Sequence, residues 1–104
     1  MALTQDQRTA LLCARQYIEE GREVHLCFAL ICVELRYPRL KIAVGRLKAY
    51  IQLVLGPFAT LDEWIVDHER KKPAEERRLP RTPAQRREAR IQWIDWMLDE
   101  PKEA

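Results

Sequence analysis

The stretch EVHLCFALICVELRYP, residues 23–38, is the most apolar part of the chain, and its secondary structure decides the fold class. Nearly every residue from Val24 to Leu35 is apolar, so hydrophobic periodicity alone does not distinguish a buried helix from a buried strand. Its alanine and leucine content favours a helix, and the chain has no second strand-like segment with which a lone strand could pair. We therefore predict an all-α fold, with this segment as its central and most buried helix.

Three further helix starts share one threonine signature. Thr4, Thr60 and Thr82 are each followed three residues later by glutamine or glutamate, which is the spacing of a capping box. The signature predicts helices over residues 5–20, from Thr60 to about Glu69, and over 82–99.

Proline and glycine bound one more helix. Pro38 disfavours helical geometry at Tyr37 and suits the first turn of the following helix, while Gly56 and Pro57 close that helix after Leu55. Because 104 residues make about one domain, the sequence predicts a single compact bundle of four or five helices over residues 1–104.

Positive charge is concentrated before and within the last helix. The formal net charge is +2, yet Arg70 to Arg90 holds nine basic and three acidic residues, a local net charge of +6. Pro73 and Pro80 interrupt residues 70–81, which contain little that is apolar, so we predict a charged, solvated linker there.

The last helix is apolar around most of its circumference. Six of the eight residues from Ile91 to Leu98 are apolar, and such a helix must be covered on more than one side. Either the other helices bury these side chains, or some of them contact a partner or a second copy of the chain. The predicted partner-binding residues are the aromatic and methionine side chains, which are frequent in interfaces, and the arginines that precede them: Arg86, Arg87, Arg90, Trp93, Trp96 and Met97.

Four phrases of the sequence carry a family resemblance: LTQDQRTALLCARQYI (3–18), GREVHLCFAL (21–30), LGPFATLDEWI (55–65) and TPAQRREARIQWIDWML (82–98). Together they resemble a loose group of short proteins encoded by bacteriophages and prophages. The resemblance implies an intracellular phage product that binds a host protein and modulates or inhibits it. Plausible targets are a host defence complex, a type IV pilus motor and a transcription factor, and nothing in the sequence favours one of them over the others.

Catalysis, cofactors and metals have little support in the sequence. The chain has no serine, no glycine-rich phosphate loop and no metalloprotease motif, so we expect no enzyme activity and no cofactor. Cys13, Cys27 and Cys32 lack metal-ligand spacing and are expected to be reduced thiols of a cytoplasmic protein. The longest apolar stretch is about half the ~20 residues that cross a bilayer, so we expect no membrane insertion.

The function predicted from these observations is a protein–protein interaction module, expected to form a homodimer. The alternative is a small nucleic-acid-binding protein that uses the basic segment 70–90. Glutamates interrupt that segment, and its arginines and the tryptophans are not interleaved in sequence as a stacking platform for single strands requires. These features favour a protein partner.

Overall fold

Five α-helices form the fold in a computed structural model, which describes residues 3–21 and 25–99. Their bounds are α1 Gln5–Glu19, α2 Leu26–Arg36, α3 Lys41–Leu55, α4 Leu61–Arg70 and α5 Pro83–Asp99, and 3-10 turns occupy Pro38–Leu40 and Ala74–Glu76. No strand occurs within those described ranges. The prediction of an all-α bundle is confirmed, and each predicted helix lies within a few residues of its expected bounds.

Local capping explains where these helices begin. The Thr4 hydroxyl accepts from the Gln7 N–H at 3.1 Å, and the Gln7 side chain accepts from the Thr4 N–H at 2.9 Å. Thr82 and Gln85 form the same reciprocal pair, with both distances 3.1 Å. Each box satisfies two backbone amides that a helix start leaves without a partner.

The start of α4 departs from this pattern in one bond. The Thr60 hydroxyl accepts from the Glu63 N–H at 3.2 Å, as expected, but the Glu63 carboxylate accepts from the Ala59 N–H at 3.3 Å. The threonine therefore caps α4, while the glutamate reaches one residue further back than the box requires.

Helix α1 lies at the centre of the bundle, since it contacts α2, α3 and α5. The prediction that α2 is the most buried helix is wrong: Phe28 is 56% exposed and Leu35 is 75% exposed. Only one side of α2 faces the core. The prediction failed because an apolar run does not by itself show how many neighbouring helices will cover it. Side chains of all five helices and of the first 3-10 turn form the core: Ala10, Leu11, Ala14, Ile18, Leu26, Ala29, Leu30, Val33, Leu40, Val44, Leu47, Ile51, Leu55, Leu61, Ile65, Trp93, Ile94, Met97 and Leu98.

Polar contacts join the first described helix, α1, to the last one, α5. The Arg15 guanidinium donates to both Asp95 carboxylate oxygens, from Nε at 2.8 Å and from Nη2 at 3.3 Å. Arg8 donates to the main-chain carbonyl of Leu98 at 2.9 Å. The last helix is thereby fixed against the first.

A buried ion pair joins α4 to α5. Arg90 donates to the two carboxylate oxygens of Asp62, from Nε at 3.0 Å and from Nη2 at 2.7 Å, and the two side chains are 9% and 26% exposed. This fork geometry is the strong form of an arginine–carboxylate contact. The hydrogen bond from Arg90 holds the pKa of Asp62 below its ordinary value, although burial acts in the opposite direction.

Glu69, the penultimate residue of α4, fixes the path of the basic segment that follows. Its carboxylate is almost fully buried and accepts from Lys72 Nζ at 2.7 Å and from the Arg78 backbone N–H at 2.8 Å. These bonds, led by the one from Lys72, lower the pKa of Glu69. The sequence predicts a solvated linker over residues 70–81. In the structure Arg70 still belongs to α4, the side chains of Arg77, Arg78 and Arg81 are exposed, and the Arg78 backbone is hydrogen-bonded to α4.

We expect Glu69→Gln to loosen this segment without unfolding the bundle. A neutral acceptor makes a weaker bond than a carboxylate, by roughly 1 kcal/mol. Hydrogen exchange at the Arg78 amide should therefore accelerate several-fold, whereas amides in the middle of α1 should keep their protection. Glu75→Gln is the matched control because Glu75 is exposed in the same segment. Equal exchange in the two variants would contradict the role assigned to Glu69.

Candidate partner-binding surface

The six predicted contact residues do not share one environment. Arg90, Trp93 and Met97 are buried, with 7%, 5% and 2% of their surface exposed, so they contact the protein's own core and Asp62. Trp96 is 44% exposed and is the one aromatic residue of the six that a partner could touch. The sequence left open whether these apolar side chains are buried by the other helices or contact a partner. Trp93 and Met97 belong to the core, whereas Trp96 reaches the surface.

The two remaining arginines lie on different sides of α5. Arg86 donates from Nη1 to the main-chain carbonyl of Arg81 at 3.0 Å, which places it against the basic segment. Arg87 is nine positions before Trp96, about two and a half helical turns, and therefore lies on the opposite side of the helix. Its Nε is buried and has no hydrogen-bond partner among the described residues. One flat partner surface could not contact Arg87 and Trp96 together.

An aromatic groove runs between α4 and α5. It has a volume of about 680 Å³, is open to solvent, and its apolar walls are Trp64, Ile65, Trp93 and Trp96. The rings contact one another: His68 stacks on Trp64 at 5.0 Å between centroids, Trp93 meets Trp64 edge-on at 6.3 Å, and Trp96 lies 5.9 Å from Trp93. Such contacts restrain the rings, so the groove presents a preformed aromatic wall.

An arginine groove lies beside it, between α5 and the segment that Glu69 fixes. It has a volume of about 670 Å³ and is lined by Arg77, Arg78 and Arg81 together with Leu79, Pro80, Ala74, Gln85, Glu88, Ala89 and Gln92. Three arginines against one glutamate give this groove a positive charge. Arginine forks are well suited to carboxylates and phosphates.

The linings of the two grooves share Arg78, Ala89 and Gln92, so the grooves adjoin along α5, and we refer to the two together as the channel along α5. One end of the channel is aromatic and the other is basic. At the aromatic end Lys72 and Glu69 form an ion pair at 2.7 Å, and the two other charged residues of the lining, Glu76 and Arg78, have opposite signs. Formal charge is therefore concentrated at the arginine end.

Most residues of this channel are absent from the predicted contact set. Arg77, Arg78 and Arg81 fall in the predicted linker, and Trp64 is not among the six predicted contact residues. Their proximity to Trp96 depends on the packing of α4 on α5 and on the bond between Glu69 and the Arg78 amide, neither of which leaves a local pattern in the sequence.

Other surfaces of the described residues offer less defined chemistry. Leu35, Ile42 and Leu53 are 75%, 73% and 80% exposed on α2 and α3, but they line none of the grooves described above. Cys13, Cys27 and Cys32 are free, half-buried thiols. Across residues 3–21 and 25–99 there is no cluster of histidine, cysteine and acidic residues that could hold a metal ion. No helix in the described part of the chain has the length and apolar character needed to span a bilayer.

Compared with protein-family models, with curated proteins and with solved structures, the chain has no match.

Proposed function

We propose that this protein is a phage-type protein–protein interaction module that binds an acidic surface of a host protein and thereby modulates or inhibits it. The channel along α5 carries the proposal, because it places an exposed tryptophan beside a concentration of arginines. Positive charge would speed and orient the encounter with an acidic partner, and Trp96 would anchor the complex. The residues of the channel do not favour a defence complex, a pilus motor or a transcription factor over the other two as the target.

The contact set in this proposal differs from the one expected from sequence. Trp96 and Arg86 remain in it, and Arg77, Arg78 and Arg81 join them because they line the channel or contact its lining. Arg90, Trp93 and Met97 support the surface from beneath, since they are buried. Arg87 lies on the opposite side of α5 and would need a partner that wraps around the helix.

A nucleic acid is the second candidate ligand, and one observation favours it. The arginines and tryptophans that are separated in sequence lie in adjoining grooves in the structure, which brings the two kinds of side chain that bind single strands close together. Glu76 and Glu88 line the same grooves and would repel phosphates and carboxylates alike, so they do not distinguish the two candidate ligands. A nucleic-acid ligand is distinguished by binding that weakens steeply as salt rises.

Capture from a nuclease-treated bacterial lysate tests the proposed function. The full chain should retain a specific protein, and Trp96→Ala and Arg86→Glu should each reduce its retention at least about tenfold, which is the size of one lost anchor contact. Arg46→Glu is the control, because Arg46 is exposed on α3 away from the channel. The captured protein must then bind directly when purified. Retention that both variants leave intact, or that nuclease abolishes, argues against the proposal.

A homodimer also belongs to the proposal. The sequence suggests Trp93, Trp96 and Met97 as its interface, but two of these three side chains are buried within one copy of the chain. A dimer must therefore use other exposed apolar surface together with Trp96. Sedimentation equilibrium of the full chain over a wide concentration range would determine its oligomeric state.

A further inference from the structure

The channel along α5 has the length of a short extended peptide. Its lining extends from Gln85 at the arginine end to Trp96 at the aromatic end. Eleven helical steps of about 1.5 Å make this distance roughly 16 Å. An extended chain rises about 3.3 Å per residue, so about five residues would fill the channel.

The apolar and charged side chains at the two ends of the channel determine which residue types would bind at each end. Trp64 and Trp96 at one end offer apolar surface, and the arginine groove at the other end offers donors for carboxylates. Between them, the exposed side-chain amide of Gln92 has both a donor and an acceptor, which a peptide backbone also has. We infer that the channel binds an extended acidic peptide segment of the partner, with an aromatic or aliphatic residue at the tryptophan end and carboxylates at the arginine end. This inference rests on the proposed function and specifies its partner.

The separation of rings from charge favours a peptide over a nucleic acid. A single strand carries one phosphate for every base, so its charge and its rings alternate along the whole chain. The channel instead has Arg77 and Arg81 only at one end and Trp64 and Trp96 only at the other, with Arg78 on the part that both grooves share. A peptide with one apolar residue followed by acidic residues matches that order, whereas a nucleotide chain does not.

A titration of the full chain with synthetic peptides tests the inference. The probe is acetyl-Phe-Gly-Asp-Glu-Glu-amide, which contains no tryptophan, so the tryptophan fluorescence of the protein, to which Trp64 and Trp96 in the groove contribute, reports binding. A peptide of the same composition with alternating order, acetyl-Asp-Phe-Glu-Gly-Glu-amide, is the control. We expect saturable binding of the ordered peptide, at least about tenfold tighter than the alternating one.

Variants of the chain locate the bound peptide. Arg81→Glu and, independently, Arg78→Glu should weaken binding of the ordered peptide at least about tenfold, and Arg46→Glu should leave it unchanged. Circular dichroism verifies that each variant is folded. Two residues are tested at the arginine end so that a folding defect in one variant leaves the other informative.

The remaining outcomes overturn the inference in distinguishable ways. Equal affinity for the two peptides, or no saturation up to about 1 mM, excludes an ordered peptide site. Tighter binding of a ten-nucleotide uridine strand, with steep salt dependence, assigns the channel to nucleic acid. If no peptide binds but a purified protein partner still requires Trp96, the proposed function stands and the extended-peptide inference fails. If no protein partner requires Trp96 either, both fail.

Discussion

Replacing Trp93 with alanine is expected to lower the free energy of unfolding by about 4 kcal/mol, the usual cost of deleting a buried tryptophan. Trp93 is 5% exposed, contacts the rings of Trp64 and Trp96, and belongs to the core. The same change at Trp96, which is 44% exposed, should cost about 1 kcal/mol or less. Urea unfolding of the two variants measures this difference.

A phenylalanine at the same position provides the control. The Trp93 indole N–H is buried without a hydrogen-bond partner among the described residues, so its removal breaks no bond that the structure shows. Trp93→Phe should therefore lose only part of the ring volume and cost about 1 kcal/mol. Equal losses for Trp93→Ala and Trp96→Ala would contradict the assignment of one tryptophan to the core and the other to the surface.

Replacing Asp62 with alanine is expected to cost about 3 kcal/mol, because it removes the two charge-assisted hydrogen bonds that the nearly buried guanidinium of Arg90 donates to this carboxylate. Asp67→Ala, five residues later in α4, removes a carboxylate whose partner Lys71 is 76% exposed, at an ion-pair distance of 3.1 Å. Exposed pairs of this kind contribute about 0.5 kcal/mol or less. A loss at Asp67 as large as that at Asp62 would show that the buried pair has no special role.

The Asp62–Arg90 pair also predicts a pH dependence. Because the pKa of Asp62 is lowered in the folded protein, the ion pair contributes fully to the free energy of unfolding above the pKa that Asp62 has in the unfolded chain, about 4. This contribution is lost as the pH falls through the lower folded pKa. The stability difference between the wild-type protein and Asp62→Asn should therefore be constant from about pH 5 to 7 and should shrink below about pH 4. A difference that grows on acidification would contradict this sign.

The helices of this protein are predictable from sequence where the signal is local. The capping pairs at Thr4 and Thr82 operate over three residues, and the structure contains both bonds of each. The burial of α5 is not predictable in the same way. Its side chains are apolar on nearly every side, so only the positions of α1 and α4 determine that Trp93 faces inward and Trp96 outward.

The candidate site depends still more on contacts between distant residues. Arg90 donates to the carboxylate of Asp62, which lies 28 positions earlier in the sequence, and no spacing rule predicts this contact. The Arg78 amide bonds to Glu69 nine positions earlier, across a segment whose composition indicates only a solvated linker. The channel was missed because the residues that form it meet through tertiary packing.

The pairing of α1 with α5 determines when the fold becomes complete during synthesis. Arg15 and Asp95 are 80 positions apart. At about 5–20 residues per second, a ribosome adds Asp95 roughly 4–16 s after Arg15. Throughout that interval the side of α1 that α5 later covers has no partner on the nascent chain. Of the five helices described, α1 is thus synthesised first, and the side of it that α5 covers stays open to chaperones and to premature association until α5 follows.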